Sequence, residues 1–263
     1  MEILVCVKRV PDTSENEIEL NSAGNDIERD ELVYSINEPD NYAVEEALQM
    51  VAKVGGSVTV ATIDGEDDDE VLRREMAMGA TRGVLITDEA FNGSDGRGIA
   101  TILKGFVQKG HYDLILTGVQ AEDGGAQIGG MLAALLDYPF ASLVNSIEVL
   151  EGRKLKISRE IEGGNRELNE IDLPCVLSIQ TGINEPRYVG MRGIRQVASM
   201  PIPTFSAAEL GLETSTVGAA AAKVCRLDYF VPAVGKGAEI LRGSREENVN
   251  KVLELVAAKG GLK

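Results

Sequence analysis

The sequence contains few of the side chains on which most catalytic sites depend. It has one histidine and no tryptophan, and aromatic residues make up only 4% of the chain. The three cysteines, Cys6, Cys175 and Cys225, are far apart and form no C-x-x-C pair. Neither a Cys/His zinc set nor a Ser-His-Asp arrangement is therefore available. The isolated His111 is typical of a loop residue, and we expect no catalytic residue in this chain.

Basic residues and long apolar runs are also scarce. The formal net charge of −16 argues against nucleic acid as a partner, because phosphate neutralisation needs clustered Lys and Arg. No run of about 18 apolar residues occurs, so no membrane span is expected. The first residues, MEILVCVKRV, are typical of a buried strand and not of a signal peptide. Together with the unpaired cysteines, this predicts a cytoplasmic location.

What the sequence does contain is an alternation of strands and helices over residues 1–140. Continuous apolar runs predict buried strands, and apolar residues at helical spacing predict the helices between them. The predicted strands are Ile3–Val7, Val58–Ile63, Val84–Ile86 and Leu114–Leu116. The predicted helices are one that Asp40 caps and Gly55 ends, then Val71–Met78, Ile99–Val107 and Gln127–Leu136. This order predicts an α/β fold with a Rossmann-like parallel sheet and helices on both faces.

Other segments depart from this alternation. Residues 12–36 predict a hairpin that projects from the sheet edge. After residue 141, four short strands are predicted as antiparallel additions to the sheet: Ile147–Leu150, Leu155–Ile161, Arg166–Ile171 and Cys175–Ile179. Residues 181–205 show no clear period, and loops of that length are often functional. A Gly/Ala linker at 217–222 precedes a terminal helix, Glu246–Ala258, whose apolar stripe either packs on the main domain or contacts another subunit.

The strongest local signal for a ligand is the glycine-rich stretch TGVQAEDGGAQIGG at 117–130. It follows a buried strand and opens a helix, at the sheet edge where ligands collect. Glycines allow the backbone to approach a phosphate, and a helix start supplies N–H donors. Because no lysine is close in the sequence, the main chain would hold that phosphate. The spacing matches neither common phosphate-binding motif, so a tight turn without a ligand remains the alternative.

Two further stretches are candidates for binding. The loop INEPD at 36–40 precedes the first helix and could contact an adenine or ribose, although an Asp cap with a Pro-directed turn is sufficient to explain it and is favoured by the local sequence. The stretch NEPRYVGMRGIR at 184–195 combines Met191 with Arg187, Arg192 and Arg195. An adaptable apolar residue within a basic rim is typical of a contact surface. The alternative is a loop that folds back onto its own domain.

Together, these motifs resemble the beta subunit of electron transfer flavoproteins over essentially the whole chain. The resemblance rests on motifs in a fixed order: VCVKRV at 5–10, NEPDNYAVEEA at 37–47, AMGATRG at 77–83, the stretch at 117–130, REIEGG at 159–164, LPCVLSIQ at 173–180 and NEPRY at 184–188. The stretch from 179 to 196 and GKGAEILRGS at 235–244 are most similar to the branch that serves trimethylamine dehydrogenase.

The resemblance implies a heterodimer in which the alpha subunit carries most of the FAD contacts and this chain holds an AMP. The main domain would then cover 1–205, with a C-terminal arm over 206–263 that packs on the alpha subunit. The implied nucleotide-binding residues are Cys6, Asn37, Glu38, Pro39, Asp40, Asp64, Gly118, Gln120, Ala121, Asp123, Gly124, Gly125, Ala126, Gln127 and Ile128. A flavin dehydrogenase would dock on the loop at 179–201 through Tyr188, Met191, Arg192 and Arg195.

Two alternatives to an AMP-binding beta subunit remain open, and the first follows from a departure from the family pattern. Electron-bifurcating relatives bind a second FAD in place of AMP, typically with DGDTAQVGP, whereas this chain has DGGAQIGG without the Thr and the Pro. A further departure is Thr13, which lies where many relatives place an aromatic residue near the flavin of the alpha subunit.

A stand-alone regulatory protein that binds an adenine nucleotide is the second alternative, but it leaves the 181–205 loop and the tail unexplained.

Overall fold

The computed structural model describes residues 1–65, 69–121, 125–235 and 237–261. They form a nine-stranded sheet and a separate two-stranded ribbon. The strands are β1 (Glu2–Cys6), β2 (Arg9–Pro11), β3 (Tyr34–Ile36), β4 (Ser57–Ile63), β5 (Arg82–Ile86), β6 (Leu114–Gly118), β7 (Phe140–Leu150), β8 (Lys154–Ile161), β9 (Asn165–Asp172), β10 (Cys175–Ile179) and β11 (Thr204–Phe205). The helices are α1 (Glu38–Val54), α2 (Glu70–Met78), α3 (Gly96–Val107), α4 (Ile128–Leu136), α5 (Met191–Val197), α6 (Ala207–Leu210), α7 (Gly218–Ala221) and α8 (Arg245–Ala258).

The order of strands in the large sheet is β11-β5-β4-β1-β6-β10-β7-β8-β9. Neighbours from β11 to β7 are parallel, and β8 and β9 extend the sheet as an antiparallel hairpin. The predicted α/β class with a mostly parallel sheet and short antiparallel strands is therefore confirmed. The ribbon pairs β2 with β3 in antiparallel register, so the excursion at 12–36 begins directly after β2 and ends with β3.

Two apolar layers cover the faces of the sheet. Residues that alternate along β1 divide between them: Ile3 and Val5 pack with α1 and α2, whereas Leu4 packs with α3 and α4. This division follows from the period of two in a strand, and it explains why the strand reads as a continuous apolar run. Ala207 and Leu210 of α6 belong to the second layer, so the beginning of the predicted arm contributes to the main core. The domain boundary at 205 remains a prediction.

One strand prediction is wrong in direction. The sequence predicts Cys175–Ile179 as an antiparallel addition, but β10 lies between β6 and β7 and is parallel to both. All five of its residues are buried, and burial on both faces is typical of a central parallel strand. The chain runs to the edge of the sheet through the β8–β9 hairpin and then returns to the interior of the sheet with β10. The order of the strands along the chain does not indicate that β10 lies in the interior of the sheet.

The 179–201 loop and the tail contain regular structure. The loop includes the seven-residue helix α5, which the sequence does not indicate. The predicted terminal helix is confirmed as α8, which begins with a capping box between Ser244 and Glu247. Within the described ranges, no helix combines the length and the apolar character that crossing a bilayer requires.

Candidate functional site

The candidate site lies where the order of the parallel strands reverses. The chain adds β4 on one side of β1, and after β5 and α3 it returns to add β6 on the other side. The carboxyl ends of β1 and β6 therefore border a crevice, the usual position of a ligand in an open parallel sheet. The predicted segments 37–40 and 118–121 meet there, because Asn37 Nδ2 donates a hydrogen bond to the carbonyl oxygen of Gln120 at 2.9 Å.

Asp40 joins three parts of the crevice. Its Oδ1 accepts a hydrogen bond from the Gly118 amide at 2.8 Å, and its Oδ2 accepts one from the Lys8 amide at 2.9 Å. Burial raises the pKa of Asp40 to about 7, although hydrogen bonds from Asn37, Gly118 and Lys8 act to lower it. The expectation that Asp40 caps α1 is wrong. Asn37 is the N-cap residue, and the Asp40 carboxyl instead holds the chain segments that follow β1 and end β6.

Two glycines of the stretch at 117–130 are required by close packing. A Cβ on Gly118 would overlap with Oδ1 of Asp40, and a Cβ on Gly129 would overlap with Oγ of Ser178. Gly129 thereby allows α4 to approach the sheet beside a buried hydrogen bond of 2.9 Å between Thr117 and Ser178. Glycine at 118 and 129 thus has a packing role that the sequence pattern alone does not reveal.

The start of α4 differs from the start of α3 in how its amides are satisfied. Asp95 caps α3 by accepting a hydrogen bond from the Gly98 amide at 2.9 Å. Gln127, the N-cap residue of α4, makes no such side-chain bond. A helix start without a side-chain acceptor can bind a phosphate group. Gly125 and Ala126, the latter at a φ of 52°, lead into this start. The predicted residues Asp123 and Gly124 lie outside the described residues.

An open groove of about 330 Å³ runs between the ribbon and the segment that follows β6. Its lining includes Glu38 and Pro39 from the beginning of α1 and Gln120 and Ala121 from the segment after β6. Thr13 lines the same groove. Asn37 also lines the groove, so the fold brings five predicted nucleotide-binding residues next to the residue that the family resemblance relates to the flavin.

Asp64 lies one strand away, at the carboxyl end of β4, and it is paired with Arg9. The Arg9 Nε–Asp64 Oδ2 distance is 3.0 Å and the Nη2–Oδ1 distance is 3.2 Å. The guanidinium carbon of Arg9 is 4.1 Å from the centroid of the Tyr34 ring. No lysine lies close to the glycine-rich stretch in the sequence, so that stretch did not indicate this arginine. The available signal was its position directly after the central strand, as part of the pair Lys8-Arg9.

Cys6 ends β1 at the crevice and is partly buried. Burial, with a contribution from the Asp40 carboxyl, raises the pKa of the Cys6 thiol to about 12. The thiol therefore stays protonated near neutral pH, which makes it a poor nucleophile. Its position fits a wall of the crevice better than a reactive centre.

The 179–201 loop begins beside the groove, which Gln180 and Thr181 line, and presents an exposed apolar and basic surface farther along. Tyr188 is 93% exposed and Met191 is 64% exposed. Arg192 and Arg195 are exposed, and neither forms an ion pair with any residue that the structure describes. The structure thus places all four predicted docking residues on one exposed stretch.

Arg187, the third arginine of the predicted basic cluster, has a different environment. Its Nε is 2.7 Å from Oε2 of Glu45, and its Nη2 is 3.0 Å from Oε1 of the same carboxylate. Such a bidentate pair fixes orientation as well as charge. Arg187 therefore holds the loop to α1, and the basic cluster divides into one paired arginine and two surface arginines.

Comparison with known proteins identifies the family. Residues 25–210 match the model of the electron transfer flavoprotein domain. The chain belongs to the electron transfer flavoprotein family. It is 35% identical to an electron transfer flavoprotein subunit beta of Methylophilus methylotrophus, over 97% of this chain and 98% of the relative. It is 31% identical to the subunit beta of Bacillus subtilis, over 97% of each chain. It is also 33% identical to the caffeyl-CoA reductase-Etf complex subunit CarD of Acetobacterium woodii, over 98% and 97%.

These matches cover nearly the full length of each relative, so they extend beyond the sheet to the loop and the tail. As an electron transfer flavoprotein of the beta-subunit type, the chain is an electron carrier subunit and not an enzyme. The predicted family resemblance is confirmed. The stand-alone regulator, which the sequence left open, is not supported by these relatives.

Proposed function

We propose that this chain forms a heterodimer with an alpha subunit, which carries most of the FAD contacts, and that it binds AMP in the crevice between β1 and β6. The observation that carries the proposal is the match to beta subunits over almost the whole chain. The exposed thiol of Cys225 and the unpaired Cys6 and Cys175 support a reducing compartment such as the cytoplasm.

The residues around the crevice suit an adenine nucleotide. The amides at the start of α4, from Gln127 and Ile128 onward, are available to a phosphate group. Asn37 and Pro39 border the groove on the other side, where a base or ribose would lie. Because Asn37 and Asp40 already fix the neighbouring loops by hydrogen bonds, the site is largely formed before a ligand binds, as is usual for such sites.

The apolar stripe of α8 supports an alpha subunit as the partner of the tail. Val249, Val252, Leu253 and Val256 share one face of the helix and are between 37% and 51% exposed. An exposed apolar face of this kind, on a helix beyond an extended segment, is typical of a subunit contact. The tail would therefore complete its packing only in the heterodimer.

The 179–201 loop supports a flavin dehydrogenase as the electron donor. Met191 and Tyr188 supply adaptable and aromatic contact area, and Arg192 and Arg195 supply positive charge on a chain that is strongly acidic overall. Trimethylamine dehydrogenase is the first donor to test, because the loop sequence is most similar to the branch that serves it. FAD, when bound, supplies the electron-accepting chemistry. The role of this chain is to position the flavin-bearing subunit against the donor.

The experiment is to co-purify the chain with its alpha subunit, denature the heterodimer and quantify the released nucleotides by chromatography. One FAD and one AMP per heterodimer is the expected result. Two FAD and no AMP would overturn the AMP assignment and would favour an electron-bifurcating complex with a second flavin in the crevice. Flavin without any second nucleotide would remove the crevice as a nucleotide site.

A further inference from the structure

The exposed part of the 179–201 loop is held at both ends by side chains of α1 and α2. At its beginning, Arg187 forms the bidentate pair with Glu45, and its backbone amide also donates to Glu45 Oε2 at 3.2 Å. Asn184 Nδ2 donates to Glu46 Oε2 at 3.0 Å and to the carbonyl oxygen of Tyr42 at 3.1 Å. Both residues thus attach to neighbouring residues of α1, Glu45 and Glu46.

The end of the loop is attached to α2. Arg73 Nη1 donates to the carbonyl oxygens of Val197, Ala198 and Met200 at 3.1, 3.0 and 3.3 Å. These carbonyls follow or end α5, and helix ends leave such groups without partners inside the helix. Asp69 in turn holds the Arg73 guanidinium, with an Nη2–Oδ2 distance of 2.6 Å. The four residues Glu45, Arg73, Asn184 and Arg187 are called the loop anchors below.

The charge of the anchor at Glu45 is maintained by its partners. Burial acts to raise its pKa, but hydrogen bonds from Arg187 and Gln49 hold the pKa of Glu45 below its ordinary value. The carboxylate is therefore ionised near neutral pH. Only 5% of the Glu45 side chain is exposed, so water competes little for its carboxylate oxygens, whereas 46% of the Arg187 side chain is exposed.

We propose that the loop anchors are positioning residues for electron transfer: they hold Tyr188 to Arg195 in one exposed conformation before the donor arrives. The inference rests on the proposed docking function of the loop. A partner that binds an ordered loop does not lose free energy in ordering it. Loss of an anchor therefore weakens the productive encounter, while the electron-transfer step within the formed complex keeps its rate.

The test uses the complete heterodimer with trimethylamine dehydrogenase as the donor. Stopped-flow measurement of flavin reduction against donor concentration separates the half-saturating concentration from the limiting rate. For Arg187→Gln we expect the half-saturating concentration to rise about tenfold while the limiting rate stays within about twofold. Arg187→Lys keeps the charge and one contact to Glu45, and it should recover part of the loss.

Limited trypsin digestion of the same heterodimers reports loop order without the donor. Cleavage after Arg192 and Arg195 should be faster in Arg187→Gln than in the parent. The matched control is Arg153→Gln, because Arg153 forms an ion pair of 2.7 Å with Asp113 outside the loop. That control should change neither cleavage within the loop nor the half-saturating concentration. If Arg187→Gln does not assemble, Arg73→Gln tests the other end of the loop.

Met191→Ala separates a failure of the anchoring role from a failure of the proposed docking function. If it slows transfer while Arg187→Gln and Arg73→Gln behave like the parent, the anchoring role is overturned and the docking surface stands. If Met191→Ala leaves transfer unchanged as well, the docking function itself is wrong. Slower transfer in Met191→Ala, together with a raised half-saturating concentration in the anchor variants, supports both.

Discussion

The crevice and the 179–201 loop use hydrogen bonds in opposite ways. In the crevice, the buried Asp40 carboxylate accepts hydrogen bonds from backbone amides near the ends of two different strands, and Gly118 is packed against it. In the loop, side chains of two helices hold the ends of a segment whose middle stays exposed. The residues around the crevice are held in place by buried hydrogen bonds, whereas the middle of the 179–201 loop is exposed to solvent. Changes in the crevice should therefore affect stability and nucleotide content, and changes in the loop should affect encounter with a partner.

The largest effect is expected at Gly118. Gly118→Ala places a methyl group against the Asp40 carboxylate and Pro39, and overpacking of this kind costs about 3 kcal/mol. Thermal unfolding of the heterodimer and its AMP content would both be measured, and both should fall. Gly235→Ala is the control, because nothing lies within 4 Å of the added Cβ. An unchanged Gly118→Ala protein would show that the crevice is not packed as described.

The next effect concerns the tail, which is exposed like the loop but is proposed to be covered by the alpha subunit. Leu253→Asp places a charge in the apolar stripe of α8, and loss of such a contact weakens association by roughly 2 kcal/mol. Analytical ultracentrifugation of the two subunits would show the weaker heterodimer. Asn250→Asp adds the same charge outside the stripe and should have little effect. Equal behaviour of the two variants would contradict the tail contact.

Two buried acids extend the comparison: Asp40 accepts hydrogen bonds from backbone amides, whereas Glu75 in α2 has only a long ion pair of 3.9 Å with Arg74 among the described residues. Glu75 is fully buried, and neither of its carboxylate oxygens has a hydrogen-bond partner among the described residues. Burial, with Asp40 and Glu45 adding to it and Arg74 opposing, raises the pKa of Glu75 to about 8. Between the ordinary carboxyl pKa and that value the unfolded chain releases a proton that the folded chain keeps, so the free energy of unfolding falls as pH rises.

Glu75→Gln removes the decrease in the free energy of unfolding that Glu75 causes as pH rises. We expect the variant to be more stable than the parent by up to about 4 kcal/mol at pH 8 and to differ little at pH 4.5, because a loss of roughly 1.4 kcal/mol per pH unit between the ordinary and the raised pKa is removed. Urea unfolding of the heterodimer across this range measures the difference. The exposed Glu254→Gln is the control. A gain that does not depend on pH would contradict the linkage.

The smallest effect is expected for the surface arginines of the loop. Arg192→Gln with Arg195→Gln removes two exposed charges without touching an anchor. Rim charges of this kind affect mainly the association rate, here by about threefold at low salt. The salt dependence of electron transfer from the donor should become shallower. An unchanged salt dependence would exclude these arginines from the contact surface.

The sequence predicted local structure well where periodicity decides it. The strand at β4 and the helix at α8 follow directly from apolar spacing. It failed where partners are distant in the chain: Asp40 looks like a helix cap, but Gly118, its partner, lies 78 residues away. Arg187 reads as one of three surface arginines until Glu45, 142 residues away, is placed beside it. Pairing at such separations depends on the strand order, which spacing along the chain does not encode.

The most direct test of the account compares Asp40→Asn with Met191→Ala in one heterodimer preparation, measuring AMP content and transfer from trimethylamine dehydrogenase for both. The account predicts that Asp40→Asn loses at least about half of its AMP while its half-saturating donor concentration is retained. The two backbone amides donate to different oxygens of Asp40, and the NH2 group that replaces one of them cannot accept a hydrogen bond. Met191→Ala should keep its AMP and FAD and transfer electrons more slowly. If each variant changed both quantities, or if Asp40→Asn kept its AMP, the separation of a nucleotide crevice from a docking loop would be wrong.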